Sequence, residues 1–580
     1  MEYQLYNDSE FLQNTSAIER ILYNRGIPLN EIEHYLNTTD DDIINPLELD
    51  NMKKGVALLI KHIKQNNDIL VQVDSDNDGY CSAAMLINYL FKLYPAFVTN
   101  HVYYRTHEGK QHGLFPNIVT DNIKLVILPD AGSNDFEQHK ILKDKGIDIL
   151  VIDHHEVDYE SPDACIINNQ LSKYPNKTLS GVGVVYKFCS YIDSLLKVNY
   201  ANDFLDLVAL GIIADVMDVR PFETKHLVSK GLKQISNPYF KKMVDKAEFK
   251  LGNEITMDGV AFYVSPFINA VARMGTQEEK LILFESMLDF KAFSLVPSTK
   301  RGAKGQMETI VEQACRMSSN VKNRQTKLRD EGLEYIENLI QKNNLLENKI
   351  LLITLEDGVI NKNLTGLIAN ILSNKYQKPT LILINKKEEL YEGSARGVNG
   401  SKFTNFKDFI NETNLSEYAQ GHQQAFGVGI QKNNLNEFLN ITNLSLADYD
   451  FSPYYKVDCI FNSNNINTSF LLDITNYKAI WNSNSIPEPL VAIENIKITK
   501  DNLFLMSRDK NPTLKIILPN GVSLIKFKSS EEEYESLYSE SGCVTINIVG
   551  KAERNEWNGK VTPQVLIEDY EIVARAAYYF

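Results

Sequence analysis

The stretch DILVQVDSDNDG (Asp68–Gly79) decides how this chain is read. Its first half, DILVQV, is a short apolar run with β-branched residues, the pattern of a strand buried in a parallel sheet. Its second half delivers Asp74, Asp76 and Asp78 at alternate positions and closes on Gly79. Carboxylates in that pattern can converge on one hard cation, with Gly79 expected to let the backbone turn sharply. An EF-hand calcium loop opens the same way, but it needs a glutamate at its twelfth position and a helix on either side. Counting from Asp74, that position is Met85, and a strand candidate comes before the loop.

Working outward, two further strand candidates end in the same manner. KLVILP (Lys124–Pro129) leads into Asp130, and IDILVI (Ile147–Ile152) leads into Asp153, His154 and His155. Helical patterns such as SAAMLINYLFKLY lie between, as βαβ connections require. Ligands bind at the carboxyl edge of an open α/β sheet, so three strands carry acidic groups and imidazoles to one edge. Carboxylates with an imidazole and no thiolate suit manganese or magnesium better than zinc. Asp215, within LVALGIIADVMDV, is a fourth candidate, because an unpaired carboxylate is costly in so apolar a context. No G-x-S-x-G or Cys/His signature supplies a protein nucleophile.

Composition bounds the rest. The 580 residues suggest several domains, and 43% hydrophobic with 23% charged content is that of a soluble globular protein. No apolar run approaches the roughly 18 residues of a membrane span. The opening MEYQLYNDSEFLQ lacks a basic region followed by an apolar one, so no secretory signal and a cytoplasmic location are expected. The six cysteines are scattered without a C-x-x-C pair, which argues against a zinc module or a disulfide framework. The net charge of −15 counts against indiscriminate coating of DNA. It does not exclude a nuclease, since a metal site needs carboxylates and phosphate contact needs only a local groove of Lys and Arg.

The expected organisation is α/β and multidomain. An N-terminal helical segment (1–52) precedes a parallel-sheet catalytic domain (53–240) and a connecting helical region (241–343) with a long helix from about Lys300. A smaller α/β domain (344–450) follows, with KILLITL, NLTGLIANILSNKY and PTLILI as strand, helix and strand. The last part (451–580) reads as strands broken by Asn, Gly and Pro turns, hence an all-β module.

VDSDNDG, LPDAGSND, IDHHE and ALGIIADV, in that order, resemble the four motifs of the DHH phosphoesterases and, within them, of the RecJ exonucleases. The resemblance implies that Asp74, Asp76, Asp78, Asp130, His154 and Asp215 hold two divalent ions, Mn2+ or Mg2+, with Asp130 bridging. It implies a contact from His155 to the scissile phosphate, and an Asp153 that fixes the imidazoles. The fold it implies is a DHH domain and a DHH-associated domain joined by a long helix, plus a C-terminal OB-fold β-barrel of five strands.

Other stretches extend the resemblance over nearly the whole chain, most weakly across 280–343 and 461–537. VYYRTHEGKQHGL resembles an arginine-bearing loop, LSGVGVVYKF a glycine-started helix, and SPFINAVARMG a stretch supplying another arginine. GSARG (Gly393–Gly397) and QGHQQAFG (Gln420–Gly427) match the associated domain, although the family has glycine where Gln420 stands. Arg105, Arg273, Ser394 and Arg396 are then expected to hold a 5′-phosphate, with His422 contacting nucleic acid. In TINIVGKAERNEWNGKVTPQVLIEDYE, Lys551, Arg554 and Lys560 flank an expected loop Glu556–Gly559 and are candidates for tracking a strand. The implied activity is exonucleolytic hydrolysis of single-stranded DNA, 5′ to 3′, in recombination and repair. Two alternatives are a phosphodiesterase for short oligonucleotides or cyclic dinucleotides and a catalytically silent DNA-binding scaffold. The expected partner is single-stranded DNA, with a single-strand-binding protein or a helicase as further candidates, no membrane, and a monomeric chain.

Overall fold

The computed structural model describes all residues except 8–14, 110, 172, 253, 388, 508–510, 541, 558 and 578–580. It divides into two compact units, Arg25–Gln325 with Ala479–Pro487, and Met1–Asn24 with Thr326–Lys478 and Glu488–Phe580.

The first of these is built on a sheet of strands β1 (Asp68–Val73), β2 (Val102–Thr106), β3 (Ile123–Pro129), β4 (Asp148–Asp153) and β5 (Cys165–Asn168). They lie in the order β2-β1-β3-β4-β5, all parallel. Val71, Ile127, Leu150 and Ile152 are fully buried, as strands covered on both faces must be. The strand order reverses between β1 and β3, which opens a crevice at their carboxyl ends. Asp74 and Asp130 follow those two strands directly.

Three helices close over that edge. Helix α1 (Asn77–Leu93) is buried from Asn77 to Leu90, so it is a core helix rather than a surface one. Helices α2 (Gly181–Leu196) and α3 (Leu205–Ala214) pack against it, and α4 (Ser265–Met274) lies further along the same unit. The helix expected from Lys300 begins only at Ile310. Helix α5 (Ile310–Lys342) runs on into the other unit, and the residues before it form a hairpin of β6 (Leu295–Pro297) and β7 (Met307–Thr309). Gly302 and Gly305, both at positive φ, break the polar run that reads as helix.

In the other unit, β8 (Leu351–Glu356), β9 (Thr380–Lys387), β10 (Leu390–Arg396), β11 (Ser416–His422) and β12 (Ala425–Gln431) form a mixed sheet in the order β11-β12-β10-β9-β8. Helix α6 (Thr365–Tyr376) connects the parallel pair β8 and β9. The C-terminal sheet has β13 (Cys459–Asn462), β14 (Leu490–Ile498), β15 (Leu503–Met506), β16 (Thr513–Ile517), β17 (Ser523–Phe527), β18 (Gly542–Trp557) and β19 (Lys560–Ala577). Its order is β13-β14-β18-β19-β17-β16-β15. That is seven strands where five were expected, and among the described residues the outer strands β13 and β15 do not pair to close a barrel. Two short helices, Thr468–Ile474 and Glu531–Leu537, lie among the strands of this part.

Candidate metal centre and phosphate pocket

The loop after β1 does not turn on Gly79. Asp76 caps α1, accepting from the backbone N–H of Gly79 at 3.0 Å, and Gly79 is already helical. What position 79 requires is space, because a β-carbon there would lie 2.6 Å from Asp74 Cβ and 3.0 Å from its backbone. Gly181 and Gly211, in α2 and α3, repeat the device. A β-carbon at Gly181 would meet Asp130 Oδ1 at 2.3 Å, and one at Gly211 would meet Asp78 Oδ1 at 2.2 Å. Three helices thus each present a bare backbone to one aspartate, and two of them, at Gly181 and Gly211, to its carboxylate.

Asp130 has a φ of 71°, a left-handed conformation in which a side chain other than glycine's is strained. Its Oδ1 is buried with no hydrogen bond of acceptable geometry, yet His154 Nε2 stands 3.2 Å away. His154 Nε2 also lies 3.5 Å from Asp215 Oδ2 and 3.9 Å from Asp78 Oδ2. Asp215 reaches this point as the C-cap of α3. Asp78 is fixed from behind by the start of α2, accepting from Ser180 Oγ at 3.0 Å, Gly181 N at 2.6 Å and Val182 N at 3.3 Å.

These contacts are not ion pairs. Burial pushes the Asp78 carboxyl up to about 6 and Asp215 to about 8, each helped by neighbouring aspartates. Asp130 is raised well above the usual carboxylate range by burial and by Asp78, Asp76, Asp215 and Asp74. Burial lowers His154 to about 4, so its ring is neutral. Buried carboxylates that repel one another around a neutral imidazole are the donor set of a divalent cation. Asp78–His154–Asp215 is one group whose ligand atoms lie within 4.8 Å of one another, and among the described residues Asp130–Asp153–His154–His155 and Asp74–Asp76–His112 meet the same distance, the last reaching the surface at His112.

Asp153 behaves as an orienting group. Its Oδ1 accepts from His154 N at 2.7 Å and from His155 Nδ1 at 2.7 Å, and its Oδ2 accepts from Ser133 N at 3.1 Å. Burial opposes charge on both members, but the pair wins: Asp153 is held below the usual range and His155 is raised to about 10. His155 is half exposed, with its ring anchored through Nδ1.

Sequence reasoning missed two histidines in the loop after β2. His112 Nδ1 lies 2.5 Å from Asp74 Oδ2, Gly113 N donates to Asp74 Oδ1 at 3.2 Å, and buried His107 Nε2 is 3.7 Å from the same oxygen. Buried Lys280 holds the loop, donating to the carbonyls of His107 at 2.7 Å and Gly109 at 2.8 Å. The signal was present as two histidines in HEGKQHG, but only the fold brings them to Asp74. Arg105, exposed in β2, donates to the Tyr104 carbonyl, and Arg273 sits in the last turn of α4.

In the other unit, Ser394 and Arg396 converge on the start of α6. Ser394 Oγ lies 2.9 Å from Thr365 Oγ1, and a β-carbon at Gly366 would be 2.5 Å from Arg396 Nη2 and 3.4 Å from Ser394 Oγ. A helix N-terminus joined by a guanidinium and hydroxyls is suited to an anion. The sheet register adds His422, since Arg396 and His422 both pair with Ala425 and so share one cross-strand row. On that face β12 offers only Ala425, Gly427 and Gly429, while Phe426, Val428 and Ile430 point into the core. Gln420 pairs with Gly427 at no cost, and Gly421, with a φ of 129°, is the position that needs glycine.

The three C-terminal cations do not form one row. Strand β18 runs to Trp557 and β19 starts at Lys560, so the expected loop shortens to Asn558, outside the described residues, and Gly559. In the hairpin register Lys551 and Lys560 fall on one face and Arg554 on the other. Lys551 is engaged by Glu568 at 3.4 Å and Glu488 at 3.5 Å.

A doubly wound parallel sheet with carboxylates and a neutral imidazole at its switch point defines a metal-dependent phosphoesterase of the DHH class, and residues 68–212 match the DHH family, N-terminal domain. The chain is 37% identical over 579 residues to the SPbeta prophage-derived YorK of Bacillus subtilis (strain 168), whose name describes a single-strand DNA-specific exonuclease, with 99% of this chain and 98% of the relative covered. It is 25% identical over 580 residues to the single-stranded-DNA-specific exonuclease RecJ of the same strain, covering 97% of this chain and 68% of that protein. The manganese complex of RecJ from Thermus thermophilus has the same fold, with a TM-score of 0.71 at 18% identity over 98% of this chain and 79% of that one. The chain belongs to the family of RecJ-like, DHH-type single-strand DNA-specific exonucleases.

Proposed function

We propose that this chain hydrolyses phosphodiester bonds of single-stranded DNA from a free end, in the 5′ to 3′ direction, using two divalent ions, Mn2+ or Mg2+. The observation that carries the reading is His154 Nε2, neutral and within 3.2 to 3.9 Å of Asp130, Asp215 and Asp78. Solved RecJ structures of this fold are complexes with Mn2+ and with Mg2+. Bound cations would supply an activated water and neutralise charge on the phosphate under attack.

The chain's own residues do the rest. Asp74, Asp76, Asp78, Asp130, His154 and Asp215 would hold the ions, with Asp130 our candidate for a shared ligand. Asp153 fixes the ring of His155, which offers a charge-assisted hydrogen bond to the scissile phosphate. Ser394, Arg396 and His422 are assigned to the terminal phosphate, and Arg105 and Arg273, each in the parallel-sheet unit, to phosphates of the same strand. The C-terminal sheet is assigned to nucleic-acid binding in the manner of an OB-fold, with Lys560 and Arg554 the better placed of its candidate cations. Action in recombination and repair alongside a single-strand-binding protein or a helicase, by a monomer in the cytoplasm, fits that chemistry. No described helix is both long and apolar enough to cross a membrane.

The test is a gel assay of end-labelled linear single-stranded, circular single-stranded and double-stranded DNA with Mn2+, Mg2+ or a chelator. Metal-dependent loss of linear single strands alone is the expected result. Efficient cutting of circles removes the exonuclease reading, and activity confined to very short oligonucleotides favours the phosphodiesterase alternative.

A further inference from the structure

The hairpin β6–β7 is a built element with no role in the chemistry above, and it lies in the stretch where the resemblance to RecJ is weakest. Its loop consists of two successive turns, closed by Ala303 N to Lys300 O at 3.1 Å and by Gln306 N to Ala303 O at 2.9 Å. In each turn the third residue is a glycine at positive φ, Gly302 at 82° and Gly305 at 84°, as a type II turn requires. Nothing lies within 4 Å of a β-carbon placed at either, so these glycines serve conformation rather than packing.

The turns place Lys300, Arg301 and Lys304 at the exposed tip, with no acidic residue between Asp289 and Glu308. That is a local charge of three in a chain whose net charge is −15. The base is clamped to α5. Gln313 Nε2 donates to Pro297 O, Thr299 Oγ1 and Glu308 Oε1, each at 3.3 Å, and Arg316 Nη2 donates to Thr299 Oγ1 at 3.2 Å and Glu308 Oε1 at 2.5 Å. Glu308 therefore marks the face turned to the helix. Leu295, Pro297 and Met307 occupy the opposite face by strand alternation, and Leu295 and Met307 are 65% and 53% exposed. Phe293, just before β6, is 65% exposed.

A hairpin anchored at its base, with cations at its tip and an apolar flank, matches one kind of polyanion, a nucleic-acid strand with phosphates for the cations and unstacked bases for the flank. We propose that the β6–β7 hairpin is a second strand-gripping element that holds single-stranded DNA outside the catalytic centre. It rests on the proposed function in taking that polyanion to be DNA.

The experiment uses the full chain. Binding of a 20-nucleotide single strand is followed by fluorescence anisotropy in chelator across a salt series, and hydrolysis of a dinucleotide is followed with Mn2+. Lys300→Ala/Arg301→Ala/Lys304→Ala should weaken binding tenfold to a hundredfold at about 0.1 M salt and flatten the log–log salt slope by about 2, at roughly 0.7 per lost contact. Phe293→Ser/Leu295→Ser should weaken binding with the slope unchanged. Dinucleotide hydrolysis should be as in wild type for both, which also shows that the variants fold. Wild-type affinity and slope in the triple variant overturn the proposal, and so does a loss seen only with an acidic protein partner. A wild-type chain that fails to hydrolyse DNA at all refutes the proposed function itself, a result distinct from failure of the hairpin.

Discussion

Gly181 has no side chain at the point where Asp130 has its carboxylate: a β-carbon there would sit 2.3 Å from Oδ1 and 2.5 Å from Cβ. Asp130 cannot retreat, because its strained φ is fixed by the hydrogen bond from its N–H to Ile152 O at 2.8 Å. Gly181→Ala should therefore displace the carboxylate, with an overpacking cost of about 1–3 kcal/mol and at least a hundredfold loss of hydrolysis. Gly183→Ala is the control, since its β-carbon would meet only the Leu179 side chain at 3.2 Å. Single-turnover rates and Mn2+ titration of both variants check this, and equal activity in the two would dissociate Gly181 from the site.

Asp130→Asn should abolish hydrolysis while leaving the metal-free protein at least as stable as wild type. Burial and four other aspartates already oppose ionisation of this carboxyl, so a neutral amide costs the metal-free protein nothing, and asparagine tolerates the left-handed backbone. A cation that binds only the folded state raises Tm. Wild type should show that rise on adding Mn2+, and Asp130→Asn should show little of it. More than a tenth of wild-type activity in the variant would take Asp130 out of the centre.

The strand-end aspartates were legible because a β-branched run followed by Asp is a local pattern, and the doubly wound sheet puts every such end on one edge. Asp215 is legible as a carboxylate in an apolar stretch, and the contact between Asp153 and His155 through the family motifs. His107 and His112 were not, because a loop anchored by the distant Lys280 has no periodicity to betray where it lands. The sequence suggests a backbone reason for Gly79, but the reason is steric, a distinction that needs Asp74 and α1 in place together. The polar residues before Ile310 suggest helix, but two glycines at positive φ make a hairpin. The five-stranded barrel is implied by resemblance across 545–571, whereas β14 to β17 lie in 461–537, where resemblance is thin, and β13 and β15 remain unpaired to one another. Lys551, Arg554 and Lys560 cluster in sequence, yet strand alternation divides them.

The acid–base state of the centre gives a pH dependence with a definite sign. Without metal, Asp215 and Asp78 titrate near about 8 and about 6, above their ordinary values. Protons must leave for a cation to bind. Apparent Mn2+ affinity should thus rise with pH, by at least about a hundredfold between pH 6 and 8, since the raised Asp130 must lose its proton as well. Stability of the metal-free protein should move the other way. A folded pKa raised above the unfolded one stabilises at low pH, and that contribution is lost as pH climbs through 6 to 8. Isothermal titration at pH 6, 7 and 8, with melts of metal-free protein in the same buffers, tests both trends, and a flat affinity profile would contradict the assignment of these carboxylates.

Arg396 and Ser394 should confer a preference for a 5′-phosphate. The guanidinium and hydroxyl meet the N-terminus of α6 across the space that Gly366 leaves open, a combination of fork, hydroxyl and helix dipole. A charge-assisted arginine–phosphate contact is worth about 1.5–3 kcal/mol, or tens-fold in affinity. Arg396→Ala should therefore weaken cleavage of 5′-phosphorylated strands tens-fold and leave 5′-hydroxyl strands nearly as in wild type. Gly366→Ala should copy that selectivity, because its β-carbon would crowd Arg396 Nη2 at 2.5 Å without removing any charge. Paired kcat/KM measurements on the two substrates decide the matter. Equal losses on both would mean that Arg396 supports the sheet or touches internal phosphates rather than the strand end.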